Sequence, residues 1–171
     1  DLRSMKLKQH TPTYLSKVLI PCNYHEPRTK DIENNLQKTL FWKYLKNSFT
    51  VDGKLIEKDM KTVLEIMASV FLKTNVDERS VMFLGNGENG KSVCLDYIKY
   101  MTGKENVSGI PLQVLANDRF STEKLDGKLA NIFPDLEKDE LKHTGTFKAL
   151  SSGESVYAQK KHGQPFDLVS V

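Results

Sequence analysis

The stretch Ser80-Val81-Met82-Phe83-Leu84-Gly85-Asn86-Gly87-Glu88-Asn89-Gly90-Lys91-Ser92-Val93 decides how this chain is read. It predicts a short apolar strand, a loop with three glycines in six residues, and a helix running to about Met101. Gly85, Gly90, Lys91 and Ser92 fit the G-x-x-x-x-G-K-[ST] spacing of a phosphate-binding loop. Glycines let the backbone turn tightly enough to aim successive N–H groups inward, and with the helix N-terminus these make a concave anion site. Lys91 adds positive charge beside the β- and γ-phosphates, and the Ser92 hydroxyl is placed to ligate Mg²⁺. The expected occupant is a nucleoside triphosphate, with a lean to ATP. The candidate nucleotide-binding set is Gly85, Asn86, Gly87, Glu88, Asn89, Gly90, Lys91, Ser92 and Val93. Glu88 is an acid inside an anion loop, so its carboxylate must face solvent. The plainer alternative is a glycine-rich turn with a surface lysine.

Downstream, Leu129-Ala130-Asn131-Ile132-Phe133 is apolar enough for a buried parallel strand that delivers Pro134-Asp135-Leu136-Glu137 at its C-terminal end. Ligands in open α/β sheets sit at that end. An acid there can hold Mg²⁺ and a second can polarise the attacking water, so Asp135 and Glu137 join Lys91 as candidate catalytic residues, with Ser92 and Asp135 as candidate metal ligands. Further on, Ser155 to Gln159 and Phe166 to Val171 alternate as two strands of a hairpin whose turn carries Lys160, Lys161 and His162. Such a basic tip can hold phosphates through charge, without reading sequence. A solvated turn is the plainer reading of the same residues.

Upstream, Pro12, Pro21 and Pro27 imply an extended, partly buried lead-in over residues 1–29. Ile32, Leu36, Leu40, Phe41, Tyr44 and Leu45 recur at helical steps and predict one helix from Lys30 to about Asn47. After the turn Val51-Asp52-Gly53, a second helix is expected from about Glu57 to Thr74. Short helical pieces are expected over Ile110 to Ala116 and Phe147 to Leu150, with Arg119 in a turn between them.

The chain of 171 residues, 39% of them hydrophobic, can bury one sizeable core. With 25 basic against 22 acidic residues its net charge is only +3, so any nucleic-acid role must rest on a local patch. Cys22 and Cys94 lie far apart, and His10 and His25 lack a second ligand pair, which argues against a structural metal. Reduced thiols point to an intracellular protein, in the cytoplasm of a host cell. No run approaches the ~18 apolar residues of a membrane span. A first residue other than Met and an alternating strand still running at Val171 read as a fragment of a longer protein.

The order of lead-in, helical layer, GNGENGKS, LANIFPDLE, a helix ending in LSSGE, and SVYAQKKHGQPF resembles the superfamily 3 helicase region of phage, plasmid and viral primase-helicases. It is similar to the poxvirus-type enzymes and to archaeal plasmid replication proteins. The resemblance covers the chain from about His10. It implies an α/β fold: an AAA+ P-loop core with a parallel sheet flanked by helices (77–171, incomplete at its C-terminus), preceded by a lead-in and small helical domain (1–76). It also implies an ATP-dependent DNA helicase, with ATP and Mg²⁺ at Gly85 to Ser92 and at Asp135 and Glu137. Lys160, Lys161 and His162 would then track DNA in the channel of a hexameric ring. Leu136 separates two acids that the family sets side by side, so their metal and water-activating roles stay unassigned. The family's sensor strand and arginine finger fall beyond Val171, so this stretch alone is expected to bind nucleotide but hydrolyse it poorly, and in the intact protein a neighbouring subunit is expected to complete the site. The rival readings are a nucleotide-gated DNA-loading module and a small P-loop kinase.

Overall fold

The computed structural model describes residues 4, 6–23, 29–72, 78–85, 87–118, 120–134 and 144–169. Asn86, Arg119, Asp135 and Glu137 lie outside the described residues.

The stripe expected to form one helix from Lys30 to Asn47 forms two, α1 (Thr29–Gln37) and α2 (Leu40–Ser48). Thr39 divides them. Its backbone is extended, its hydroxyl accepts the Trp42 N–H at 3.1 Å and donates to the Leu36 carbonyl at 2.6 Å, so one side chain ends the first helix and caps the second. A hairpin of β1 (Thr50–Val51) and β2 (Lys54–Leu55) follows. Both of its central residues, Asp52 and Gly53, have positive φ, as a two-residue Asp-Gly turn requires. The next helix, α3 (Glu57–Ser69), carries Glu57 and Asp59 in its first turn, where the helix dipole favours them. It stops short of the expected Thr74, and Phe71 and Leu72 close it with bonds to carbonyls three residues back.

The segment expected as a strand before the glycine loop makes no ladder among the described residues. Phe83 packs inward, while Val81, Met82 and Leu84 are exposed. A strand needs a neighbour to satisfy its backbone, and no described segment supplies one here. The loop leads into α4 (Lys91–Thr102), which ends at Gly103 with φ +88°. Beyond it, β3 (Val107–Ser108) pairs in parallel with β4 (Ala130–Asn131), and α5 (Leu112–Asn117) lies between them in the chain. Asn131 extends this short ladder with its side chain. Its amide accepts the Ile110 N–H at 2.8 Å, returns a bond to the Ile110 carbonyl at 2.8 Å and meets the Ser108 hydroxyl at 2.9 Å. The chain closes with α6 (Gly145–Ser152) and an antiparallel hairpin of β5 (Ser155–Gln159) and β6 (Pro165–Val169). The described residues thus hold three two-stranded sheets, one of them parallel.

The core joins the helical layer to the loop's own helix. Met67 of α3 and Cys94 and Ile98 of α4 are buried together, with Phe41, Tyr44, Val63, Phe83, Tyr97 and Ile132 packed around them. Phe41 stacks flat on Tyr97, ring centroids 3.7 Å apart and planes 5° from parallel. The described part of the lead-in is extended and mostly exposed, Leu15 and Leu19 each 84% accessible, with Val18 and Ile20 partly buried. It is held by polar contacts: Lys17 to both Asp126 oxygens at 2.8 and 2.9 Å, and the Asn106 amide to the Leu19 carbonyl at 2.8 Å.

Cys22 is exposed and Cys94 buried, and burial pushes the Cys94 thiol above its ordinary value of 9.0. A thiol reagent is therefore expected to label one cysteine quickly in the native protein and the second only on unfolding. Because the folded state holds the Cys94 proton more tightly, that contribution to stability is complete below pH 9.0 and lost as pH rises through the raised value. A denaturant midpoint that does not fall above that pH would show that Cys94 does not contribute in this way.

Candidate functional site

The glycine loop is positioned by the first turn of α4. Gly90 is the N-cap, with φ +81°, and its carbonyl accepts the Cys94 N–H at 3.1 Å as the first bond of the helix. A left-handed N-cap suits glycine, which adopts positive φ without the cost of a Cβ. The backbone N–H groups of a helix's first turn have no partners within the helix and carry the positive end of its dipole. The Lys91 ammonium bends back over the loop, 2.7 Å from Asn89 Oδ1 and 3.2 Å from the Gly85 carbonyl. A Cβ on Gly85 would run into the Asn89 amide and lie 3.1 Å from Lys91 Nζ, so the bare backbone there lets the two side chains fold in. Ser92 lies exposed one residue into the helix. Its hydroxyl is a hard oxygen donor, and Mg²⁺ takes one or two protein oxygens together with phosphate and water, so Ser92 suits such an ion. Among the described residues no cluster of three His, Cys, Asp or Glu could hold a metal by itself.

Glu88 is exposed and has φ +46°, a left-handed backbone that is uncommon outside glycine, asparagine and aspartate. Gly87, Glu88, Asn89, Gly90, Lys91, Ser92 and Val93 line one side of an open depression of about 1000 Å³. The opposite side is the surface of α2, including Lys43, Tyr44 and Asn47. The structure therefore brings together the described members of the loop set and adds a wall from the helical layer. Asp135 and Glu137 fall outside the described residues, and Pro134, just before them, is exposed.

The basic turn is separate. Lys160, Lys161 and His162 are all exposed at the end of the β5–β6 hairpin. Val156, Ala158 and Leu168 face inward and fix the register, in which Gln159 pairs with Pro165. The Gly163 N–H bonds the Lys160 carbonyl at 2.8 Å, closing a turn around Lys161 and His162, and His162 takes φ +65°. The hairpin is tied to the body through Thr122, whose hydroxyl donates to the Tyr157 carbonyl at 3.2 Å.

Tyr44 was legible only as one member of an apolar helical stripe. No local pattern ties it to Gly90, 46 residues away, yet its hydroxyl donates to the Gly90 carbonyl at 2.7 Å. Asn131 gave no signal either, because a polar residue within a strand is ambiguous until its partners are seen.

The site is thus a glycine-rich loop that opens α4 with a Lys-Ser pair. Residues 83–171 match the family model DUF5906, described as a family of unknown function, and the chain belongs to that family. The match takes in the end of the Ser80–Leu84 segment, the loop, α4 and the hairpin. No curated protein matches the chain. Among the described residues no helix is long and apolar enough to cross a membrane.

Proposed function

We propose that this chain is the nucleotide-binding part of an ATP-dependent DNA translocase of the superfamily 3 type, built on an AAA+ P-loop core. The observation that carries the reading is the Lys91 ammonium folded over the Gly85–Ser92 loop at the start of α4. A cation beside the start of a helix, whose first N–H groups have no partners within the helix, suits a polyphosphate better than any uncharged ligand. Ser92 would supply an oxygen to Mg²⁺, and the acids Asp135 and Glu137, which follow the parallel strand β4 in sequence, would supply the second ligand and a base for water. The basic turn at Lys160, Lys161 and His162 would grip the DNA backbone. Assembly as a hexameric ring, in which a neighbouring subunit completes the site, belongs to the same proposal, as does action in the cytoplasm of a host cell during replication of a plasmid, phage or virus.

The test is a titration of the full-length protein with Mg·ATP followed by phosphate release with and without single-stranded DNA. Binding, with release stimulated by DNA, is the expected result. Rings that form with ATP but release no phosphate would point to a DNA-loading module. Transfer of phosphate to a small acceptor without DNA stimulation would point to a kinase.

A further inference from the structure

The helical layer reaches the glycine loop through one hydroxyl. The Gly90 carbonyl accepts two hydrogen bonds, from the Cys94 N–H at 3.1 Å and from Tyr44 Oη at 2.7 Å. With both lone pairs engaged, the plane of the Gly90–Lys91 peptide is held. In a trans peptide the N–H points opposite to the carbonyl, so fixing the Gly90 oxygen toward α2 and the helix also fixes the direction of the Lys91 N–H, away from both and toward the loop. Glycine is required at 90 for a second reason here: a Cβ would come within 2.8 Å of the Tyr44 ring.

Tyr44 is itself held firmly. Its ring lies 6.0 Å from that of Phe41, which stacks on Tyr97 of α4, so hydroxyl and loop are referenced to the same helix. Burial pushes the Tyr44 phenol above its ordinary 10.0, Cys94 adds to the rise, and bonds with Ser48 and the Cys94 backbone act the other way. The group is therefore a protonated donor at neutral pH.

We propose that Tyr44 is a positioning residue that sets the loop's affinity for the polyphosphate of a nucleoside triphosphate, by holding the Gly90 carbonyl so that the Lys91 N–H faces the ligand. This rests on the nucleotide-binding reading of the loop. It makes α2, outside the family-matched segment, a determinant of phosphate binding.

The experiment compares the wild type, Tyr44→Phe and Lys91→Ala by titration with Mg·ATP and with Mg·tripolyphosphate, alongside thermal melting. Tyr44→Phe keeps the ring and deletes the hydroxyl. The expected result is a loss of about three- to tenfold in affinity for both ligands by the same factor, the range one neutral hydrogen bond is worth. Its midpoint should fall by only about 2–4 °C. Unchanged affinity in Tyr44→Phe, with binding lost in Lys91→Ala, overturns the role of Tyr44 and leaves the loop reading standing. Weakened ATP with unweakened tripolyphosphate also overturns it, because the effect would then lie with the nucleoside. Lys91→Ala that binds like the wild type overturns the loop reading itself. Should Tyr44→Phe not fold, hydrogen exchange on the wild type decides. By linkage, a contact that favours binding is tightened by binding, so Mg·ATP should slow the amides of Leu40–Ser48 as well as those of the loop. Slowing confined to the loop overturns the proposal.

Discussion

Lys91→Ala is expected to weaken Mg·ATP binding by about ten- to hundredfold, the range for losing a hydrogen bond to a charged group. Turnover should fall by roughly a further 10²–10³, as when one preorganised donor is removed from a developing charge. The reasoning starts from what the side chain touches. Lys91 Nζ contacts Asn89 Oδ1 and the Gly85 carbonyl, both within the loop, so its charge is spent at the site rather than in the core. Folding should therefore be little affected, and melting of the variant separates lost function from lost structure. Lys91→Arg should not rescue, because a planar fork does not replace a compact ammonium at a single point of charge. Wild-type affinity and turnover in Lys91→Ala would leave the loop as an ordinary turn.

The second large effect is expected at the hairpin. Lys160 and Lys161 are exposed at the end of a rigid two-stranded ribbon. Their joint replacement by alanine removes two charges from the surface proposed to hold DNA by phosphate contact. Affinity for single-stranded DNA should drop by about tenfold near physiological salt. The more telling measure is the plot of log affinity against log salt, which should become shallower by about 1.4 for single strands if both lysines contact phosphate. The ratio of DNA-stimulated to unstimulated phosphate release should collapse toward one. The inward residues Val156, Ala158 and Leu168 are untouched by the change, so the ribbon keeps its register. An unchanged salt slope would return these lysines to the status of a solvated turn.

What could be read from the residues beforehand was whatever is local. The Asp52-Gly53 turn, the helix that opens at Lys91 and the alternation of the last hairpin each follow from neighbours within a few positions, where backbone geometry leaves little choice. One expectation failed where a side chain overrode the pattern, and another was not met among the described residues. Thr39 splits the long apolar stripe by capping, and the strand before the loop lacks a described ladder partner, which its own apolar run could not supply. The glycine loop was legible by spacing. Its attachment to α2 was not, because the Tyr44 bond to Gly90 depends on how two distant segments pack. Asn131 was hidden for the same reason: its amide imitates a strand for Ile110, and only the fold shows it. Asp135 and Glu137 lie outside the described residues, so their part in the site rests on their place after β4 alone.

The chain has a single tryptophan, Trp42, and the Thr39 cap fixes it in the first turn of α2, beside Lys43 and Tyr44 on the wall of the depression. Its indole nitrogen is buried without a hydrogen-bond partner among the described residues. The molecule thus contains a built-in fluorophore on α2, the helix whose Lys43 and Tyr44 line the depression, and unfolding of that helix can be followed optically, in real time, with no label attached.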